Sequence, residues 1–350
     1  MGVVVGEPSP EPPGGRVLDL GVEQVRALVA ERYGWRPRRI EPVEGELATI
    51  CRLEDDAGRG FAVKVTRDEA EERPALEWRT AVMTRLAGEG QPVPGVLPDR
   101  SGSAVSGADA GGIPVLVVVE EWLTGLPLHA AEVDRDLLRA VGGTAARLSA
   151  ALATAPPPPP GLTHVWEASR GRRTILQALP DVRDPVVREL AAAAAEGFAA
   201  DVAPHLAGLP RTVVHQDLHD ANLLVGRVGG RPRVIGVLDF GDMLLGLRVA
   251  ELAVAAGYAA RLTADPLRGL LDVVAGWGRE ASLDDAEAQV LLPLARTRLA
   301  VNAAVWAARS SGTRAVYAAA RSARSVPALR ALLAADRDAV AAEVRRLTRG

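Results

Sequence analysis

One short polar segment and the hairpin after it constrain the fold of this chain more than any other feature. The segment, residues 215–222, reads His-Gln-Asp-Leu-His-Asp-Ala-Asn. A hairpin with a long loop is predicted from two apolar runs with a turn-rich stretch between them, at residues 223–225, 234–238 and 226–232. Asp239 follows the second run directly. If the strands pair symmetrically about the loop, Asn222 and Asp239 lie side by side at the open end of the hairpin.

The side chains at this end suit a metal ion held against phosphates. Asn222 and Asp239 offer hard oxygen ligands, and Asp217 supplies a third carboxylate five residues before Asn222. Mg²⁺ prefers oxygen ligands of this kind and is held by few protein groups together with substrate phosphates. The pattern therefore predicts a phosphoryl-transfer site of the kind found in protein kinases.

Two other interpretations of the segment stay open. Short polar residues are frequent in turns, where they bond the local backbone. Alternatively, His215, Asp217 and His219 could be ligands in a metal hydrolase, although no further His or acid cluster elsewhere in the chain supports this. The Asp that follows the hairpin favours the phosphoryl-transfer interpretation, because motif and structural context then agree.

At these residues the chain resembles the aminoglycoside phosphotransferase and choline kinase superfamily, the small-molecule relatives of protein kinases. The resemblance implies that Asp217 is the catalytic base, that Asn222 and Asp239 are metal ligands, and that His215 braces the catalytic loop. It implies ATP as phosphoryl donor, with GTP not excluded, and Mg²⁺ as metal. One residue departs from the family pattern, because Gln216 stands where these enzymes usually have Gly.

A kinase-type site also needs a strand lysine that binds phosphates and an acid that orients it. Residues 61–66 predict a strand in which Ala62 and Lys64 share one face, so that Ala62 would lie under the base and Lys64 at the phosphates. Residues 73–88 predict the next helix, and Glu77 on it is the expected partner of Lys64. On its own, Lys64 could equally be a solvated strand lysine.

Two further stretches are expected to contact the nucleotide. Gly45 and Thr49, in the first hairpin, are candidates for the phosphate-covering loop, although an ordinary hairpin turn would look the same. The apolar run at 114–119 predicts a buried strand. In the resembled fold such a strand leads into the hinge that binds adenine, which implies nucleotide contacts from residues 121–123, namely Glu121, Trp122 and Leu123.

The expected fold is α+β, a protein-kinase-like two-lobe fold with a small antiparallel-sheet N-lobe and a mainly helical C-lobe. The boundaries are a disordered tail at 1–18, an N-lobe at 19–121 and a C-lobe at 122–350. Apolar patterns after the motif predict four helices, at residues 248–258, 266–277, 283–310 and 327–348.

Composition excludes several classes of protein. The net charge of −3 argues against general nucleic-acid binding, which requires a basic excess. A single cysteine, Cys51, excludes a disulfide framework and agrees with a reducing cytoplasm. No apolar stretch of the ~20 residues needed for a membrane span exists, and the N-terminus lacks the features of a signal peptide. We therefore expect a cytoplasmic enzyme without nucleic-acid or membrane partners.

Charge bears on the acceptor. Enzymes that phosphorylate aminoglycosides bind polycations, so their substrate-facing C-terminal helices should be rich in Asp and Glu. Residues 291–350 of this chain instead contain eleven Arg and only three acids. Arg296 and Arg298 lie in an apolar helix, so at least one should face inward and bind an anion such as a substrate carboxylate. Asp242 and Glu167 could then bind a substrate ammonium.

The segment Asp239-Phe-Gly-Asp242, paired with the run at 248–253, looks similar to the hydroxylysine kinase branch of the superfamily, as do the Trp166 segment and Arg298-Leu299. The prediction is therefore an ATP-dependent kinase for a hydroxyl group of a small amine-bearing metabolite, with a hydroxy-amino acid such as hydroxylysine as the best guess. An aminoglycoside-type antibiotic kinase and a nucleotide-binding pseudokinase are the alternatives. A protein kinase is less favoured, because no Ala-Pro-Glu segment follows Asp239. The oligomeric state is left open.

Overall fold

The structure is a computed structural model that describes residues 18–43, 48–309 and 324–349. The predicted disordered tail therefore lies outside the described residues, apart from Leu18, which is buried. Contacts divide the chain into two compact units, Met1–Pro74 with Val96–Trp122 and Ala75–Gly95 with Leu123–Gly350. Residues 75–95 thus pack with the second unit, while the predicted lobe boundaries stay predictions.

The first unit is an antiparallel sheet with one helix, and its described elements are α1 (Val22–Tyr33), β1 (Arg39–Val43), β2 (Thr49–Glu54), β3 (Gly60–Arg67), β4 (Val96–Leu97), β5 (Ser106–Asp109) and β6 (Pro114–Glu121). The strands follow the order β1-β2-β3-β6-β4, and β5 also pairs with β6. Helix α1 buries Val25, Leu28 and Val29 in a core that it shares with the sheet.

Strands β3 and β6 pair at the centre of this sheet. Phe61, Val63 and Val65 are buried, whereas Ala62 and Lys64 on the other face are partly accessible. Strand β6 is buried from its second to its seventh residue. Both strand predictions are confirmed, because side chains two residues apart share a face of a pleated strand.

The second unit is mainly helical. Its helices are α2 (Arg73–Gly88, which begins in the first unit), α3 (Arg135–Leu152), α4 (Gly171–Ala178), α5 (Pro185–Asp201), α6 (Arg248–Ala260), α7 (Pro266–Trp277), α8 (Asp285–Ala308), α9 (Ser325–Leu333) and α10 (Arg337–Thr348). Its strands are β7 (Leu126–Pro127), β8 (Arg211–Val214), β9 (Leu223–Val228), β10 (Arg231–Val237) and β11 (Leu244–Leu247). Strands β10, β9 and β7 form one small sheet, and β8 pairs with β11. None of the helices described here is both long and apolar enough to cross a membrane.

The hairpin after the polar segment is tighter than expected. Val228 pairs with Arg231, so the loop is only Gly229 and Gly230 rather than the long loop predicted. Both glycines have positive φ, 58° and 78°, which is the backbone of a two-residue turn matched to strand twist. The prediction was wrong here because the polar residues on either side of the glycines were assigned to the loop, although they pair as an exposed ribbon.

The helix predicted at 327–348 is two helices, α9 and α10. The break lies at Asp336, whose side chain accepts hydrogen bonds from the backbone N–H groups of Asp338 and Ala339. This is an N-cap, and it satisfies donors that the first turn of a helix leaves free. Apolar periodicity continued across the break and hid it.

Close packing of α3 against α7 depends on glycine. A Cβ at Gly142 would overlap the carbonyl oxygen of Val273, and one at Gly276 would overlap that of Arg139. We expect Gly142→Ala to lower the free energy of unfolding by about 1–3 kcal/mol, because the backbones would have to separate. Gly197→Ala, in α5 with open space around it, is the matched control and should be neutral or stabilising by up to ~1 kcal/mol. Equal urea midpoints for the two variants would contradict this packing.

Candidate active site

The polar segment forms the loop between β8 and β9. Strand β8 pairs with β11, and β9 pairs with β10. The N–H of Leu238 donates to the carbonyl of Asn222 at 2.8 Å, which extends the hairpin ladder by one step beyond Leu223 and Val237. Asp239 therefore follows directly after the residue paired with Asn222. The predicted juxtaposition of Asn222 and Asp239 at the open end is what this register produces.

His215 connects the two sides of this end. Its Nδ1 accepts from the backbone N–H of Asp217 at 3.3 Å, so Nε2 carries the proton and donates to the carbonyl of Leu238 at 3.1 Å. The ring packs edge-on against Phe240 with 4.6 Å between centroids. Burial lowers the pKa of His215 to about 4, so the imidazole is neutral near pH 7. These contacts fit the bracing role expected for it.

Gln216 adopts the backbone conformation that glycine would favour. Its φ is 73°, in the left-handed region, which costs a non-glycine residue roughly 1–2 kcal/mol. Its side-chain amide donates to the carbonyl of Trp166 at 2.9 Å, a bond that glycine could not make. The departure from the family pattern therefore leaves the turn intact.

Asn222 orients the carboxylate of Asp217. Its Nδ2 donates both to the backbone carbonyl of Asp217 at 3.0 Å and to Oδ2 of the same residue at 2.9 Å. Two acceptors on one nitrogen identify that atom as the NH₂ group and direct the amide oxygen away from Asp217. No described residue donates to that oxygen, so it is available as a metal ligand.

Asp239 completes a donor set that fits a divalent cation. It is exposed and has φ 62°, a conformation that Asp tolerates better than most residues. Its Oδ1 accepts from the N–H of Gly241 at 3.2 Å, which holds the carboxylate in place and leaves Oδ2 for another partner. With the amide oxygen of Asn222, these are the hard oxygen ligands that Mg²⁺ or Ca²⁺ requires.

The metal-hydrolase interpretation does not fit these contacts. Both ring nitrogens of His215 are bound within the protein, and Nδ1 of His219 accepts from the N–H of Ala221 at 3.0 Å. Within residues 18–43, 48–309 and 324–349, no group of three or more His, Cys, Asp or Glu is placed to hold a metal ion. Histidine here orients the loop.

Glu251 on α6 anchors the loop from below, and sequence reasoning missed it. Both of its carboxylate oxygens contact the N–H of His215, at 3.2 and 2.8 Å. The side chain is fully buried, and burial raises its pKa to about 8. A lone acid inside the otherwise apolar helix at 248–258 was the signal that could have identified it.

The raised pKa of Glu251 predicts a pH dependence of stability. The folded carboxyl keeps its proton up to about pH 8, whereas the unfolded one releases it near 4.5. Its contribution is complete below 4.5 and is lost as the pH rises to 8, since the folded state binds more protons in this window. Urea unfolding between pH 4.5 and 8 should therefore show a steeper loss of stability in the wild type than in Glu251→Gln. Parallel profiles would contradict a protonated Glu251.

Arg296 and Arg298 are both buried, and Arg298 is the one that contacts this loop. Arg298 Nη2 donates to Asp217 Oδ1 at 2.5 Å, and Nη1 donates to the carbonyl of Trp166 at 3.2 Å. Its guanidinium also packs over the rings of Trp166 and Tyr258, 4.7 and 5.5 Å from their centroids. Arg296 instead donates to the carbonyl of Leu332, in the last turn of α9, and to that of Ala335, two residues after the helix.

The charge at Asp217 reflects these neighbours. Burial on its own would raise the pKa of the carboxyl, but His219 and then Arg298 more than offset this and hold it below its usual range. His219 Nε2 lies 3.4 Å from Asp217 Oδ2. Asp217 is therefore an ionised carboxylate with donors on both oxygens.

The two acids expected near an ammonium have different surroundings. Asp242 contacts Nε2 of His164 at 3.3 Å, and burial together with Asp217 and Asp239 raises its pKa well above the usual value. Arg298 and Arg79 are cationic neighbours that act in the opposite direction. Glu167 is buried between Arg170 and Arg211, at 3.1 and 3.3 Å, so its charge is already balanced.

In the first unit, Lys64 forms an ion pair with Glu120. The distance from Nζ to Oε1 is 3.1 Å, and Glu120 is buried on β6 opposite Ala62. Sequence reasoning missed Glu120, although its place at the end of an apolar strand marks it. Glu77 lies on α2 in the second unit, and its pairing with Lys64 stays a prediction.

The other nucleotide candidates have mixed positions. Gly45 lies outside the described residues. The hydroxyl of Thr49 donates to the carbonyl of Leu18 at 2.5 Å and accepts from the N–H of Leu20, so it ties the chain before α1 to β2. Its predicted phosphate contact stays a prediction.

The stretch at 121–123 follows the exit of β6. The N–H of Trp122 donates to the carbonyl of Gly60, and Arg52 packs 4.9 Å from its ring centroid. Glu121 is exposed at the end of β6, and Leu123 begins the second part of unit two. Nucleotide contacts from these residues stay predictions.

Comparisons with known proteins agree with this geometry. Residues 39–283 match the phosphotransferase enzyme family. The chain is 26% identical over 298 residues to hydroxylysine kinase of Mus musculus, across 79% of this chain and 78% of that protein. Two solved structures are similar in fold. A microcompartment-associated aminopropanol kinase has TM-score 0.66 and 17% identity, over 93% of this chain and 100% of its own. An amicoumacin kinase in complex with AMP-PNP, Ca²⁺ and Ami has TM-score 0.64 and 15% identity, over 88% and 92%. The predicted kinase-like fold is confirmed.

Proposed function

This chain belongs to the phosphotransferase enzyme family, and we propose that it transfers the γ-phosphoryl group of ATP to a hydroxyl of a small, amine-bearing acceptor. It is a small-molecule kinase. The observation that carries the proposal is the double hydrogen bond from Asn222 to Asp217. It holds the Asp217 carboxylate at the hairpin end where the amide oxygen of Asn222 and Oδ2 of Asp239 are available as metal ligands. A phosphoryl-transfer site requires those groups together.

In this proposal, five residues of the second unit each have a role in the reaction or in holding the loop. Asp217 orients the acceptor hydroxyl and takes its proton as the oxygen attacks the γ-phosphorus. Asn222 and Asp239 would hold Mg²⁺, which, when bound, neutralises the charge that develops on the phosphates. His215 and Glu251 keep the loop in register.

The nucleotide contacts in this proposal come from residues of the first unit and from Leu123, which belongs to the second. Lys64, with Glu120 behind it, would bind phosphates as a fixed positive charge. Ala62 lies on the same face of β3 and leaves room for a flat base. Glu121, Trp122 and Leu123 would present backbone groups to the base edge.

We propose a hydroxy-amino acid as acceptor, with a hydroxylysine-like molecule as the best single choice. Asp242, an acid with Asp217 and Asp239 as acidic neighbours, would bind the ammonium group, and Arg298 would bind the carboxylate. Trp166 and the paired Glu167 would line this position from the segment before α4. The curated relative named hydroxylysine kinase supports this choice. The single cysteine, Cys51, is a buried free thiol, in keeping with the cytoplasmic setting that we propose.

An acceptor screen tests the proposal. ATP and GTP, each with Mg²⁺, would be offered with hydroxy-amino acids, amino alcohols and aminoglycosides, and product phosphate esters would be detected by ³¹P NMR. We expect ATP-dependent ester formation with a hydroxy-amino acid. Robust phosphorylation of kanamycin-type antibiotics alone would overturn the acceptor, and nucleotide binding without any transfer would indicate a pseudokinase.

A further inference from the structure

We propose that Arg298 is a gate on the catalytic carboxylate, opened by an anionic group that the acceptor itself carries. This inference rests on the proposed function and adds a reason why the acceptor must be a hydroxy acid. It starts from the ion pair of Arg298 with Asp217 Oδ1, in which the arginine side chain is only 6% exposed.

Donors engage both oxygens of Asp217. Arg298 holds Oδ1 at 2.5 Å, and Asn222 donates to Oδ2, with His219 Nε2 3.4 Å from the same atom. Asn222 is fixed by its second bond to the backbone, and His219 is held by the N–H of Ala221. Arg298 is the one of these three donors that belongs to a distant helix. Breaking the bond from Arg298 therefore frees Oδ1 of Asp217 for the acceptor proton and leaves the hydrogen bonds within the loop at 215–222 intact.

Arg298 cannot simply leave, because a buried guanidinium without an anionic partner is strongly unfavourable. A carboxylate on the acceptor removes this obstacle, since it replaces one anionic partner with another. Arg298 also keeps a spare donor, as its buried Nε–H has no acceptor among the described residues. A planar guanidinium with adjacent N–H groups suits a carboxylate bound through both oxygens.

The rest of its setting favours a short movement. The guanidinium carbon also lies over the rings of Trp166 and Tyr258, 4.7 and 5.5 Å from their centroids, and these contacts are separate from the bond to Asp217. The bond to the carbonyl of Trp166 is a second, separate anchor. The acceptor carboxylate would thus pair with Arg298 while the contacts with the two rings and with the Trp166 carbonyl are kept.

Once Arg298 has moved to the acceptor carboxylate, the reaction is an ordinary phosphoryl transfer. The acceptor oxygen forms a bond to the γ-phosphorus, and the bond from that phosphorus to the β–γ bridging oxygen breaks, with its electrons leaving on the nucleoside diphosphate. The hydroxyl proton passes to Oδ1 of Asp217, the oxygen that Arg298 has released.

The test compares an acceptor pair that differs only in the carboxylate, a hydroxy-amino acid and the amino alcohol with hydrogen in its place. The wild type should turn over the hydroxy-amino acid about 100-fold faster or more, the scale expected for unpairing a buried charge. Added acetate should raise its turnover of the amino alcohol. Arg298→Met should phosphorylate the amino alcohol at least about 10-fold faster than the wild type and no longer respond to acetate. Arg296→Met, which removes a buried arginine on the same helix, is the control and should keep the wild-type preference.

A gain in turnover separates a gate from a structural role, which would slow both acceptors alike. Equal losses on both acceptors in Arg298→Met, or a wild type indifferent to acetate, would overturn the gate while leaving the kinase assignment standing. If neither acceptor is phosphorylated, the rate of ATP hydrolysis, in which water is the phosphoryl acceptor, tests the gate. This rate should rise in Arg298→Met but not in Arg296→Met. If Arg298→Met does not fold, the acetate response of the wild type decides alone.

Discussion

Asp217→Asn should lower kcat by about 10²–10⁴-fold, the range typical of general-base loss. The amide can still accept a hydrogen bond from the acceptor hydroxyl, but it cannot take the proton. Mg·ATP binding should change little, because the hydrogen bond of Asp217 is to Nδ2 of Asn222 and involves neither of the two oxygens proposed as metal ligands. Steady-state kinetics with the best acceptor from the screen would measure the loss, and calorimetry would measure binding.

Folding is the control for this variant. Arg298 is nearly inaccessible and has Asp217 as its carboxylate partner, so neutralising Asp217 should reduce stability. The loss should stay below the about 3–5 kcal/mol of a fully broken buried pair, because the new amide oxygen still accepts from Arg298. Kinetics must therefore be measured below the melting temperature of the variant. Near-full turnover in the folded variant would remove Asp217 from the role of base.

Asp239→Ala should abolish metal-dependent nucleotide binding, with affinity for Mg·ATP reduced by roughly 100-fold or more. A hard divalent cation that bridges phosphates needs this carboxylate, and Asn222 alone offers one neutral oxygen. Calorimetric titration with Mg·ATP and with metal-free ATP would measure the difference between the two. Unchanged binding of Mg·ATP would show that the metal site is not at this end of the hairpin.

The backbone at Asp239 requires a matched variant. Its φ of 62° is unfavourable for Ala by about 1–2 kcal/mol, whereas Asn tolerates it. Asp239→Asn therefore removes the charge with little strain, and it should lose Mg·ATP binding to a similar degree. If only Asp239→Ala lost binding, backbone strain rather than the missing carboxylate would be the cause.

Local sequence pattern predicted much of the first unit and the strands of the hairpin β9–β10. Alternation placed Ala62 and Lys64 on one face of β3, and the apolar run placed β6 inside the sheet. The predicted element boundaries were wrong where a polar or apolar pattern continued across the end of a strand or helix. The hairpin loop was predicted too long because exposed strand residues are polar, and α9 and α10 were predicted as one helix because their apolar spacing continues through Asp336.

By itself, the sequence determined that Asn222 and Asp239 lie at the open end of one hairpin, with Asp217 five residues before Asn222. Short spacings and strand pairing are local, so the chain between these residues is enough to bring them together. Only the tertiary structure decided which distant residues contact this loop, namely Glu251 through the N–H of His215 and Arg298 through the Asp217 carboxylate. Within the first unit, it likewise decided that Glu120 pairs with Lys64. Helices α6 and α8 are buried on nearly every side. A helix without a polar face has no periodicity to show which residue points at the site, and packing alone settles it.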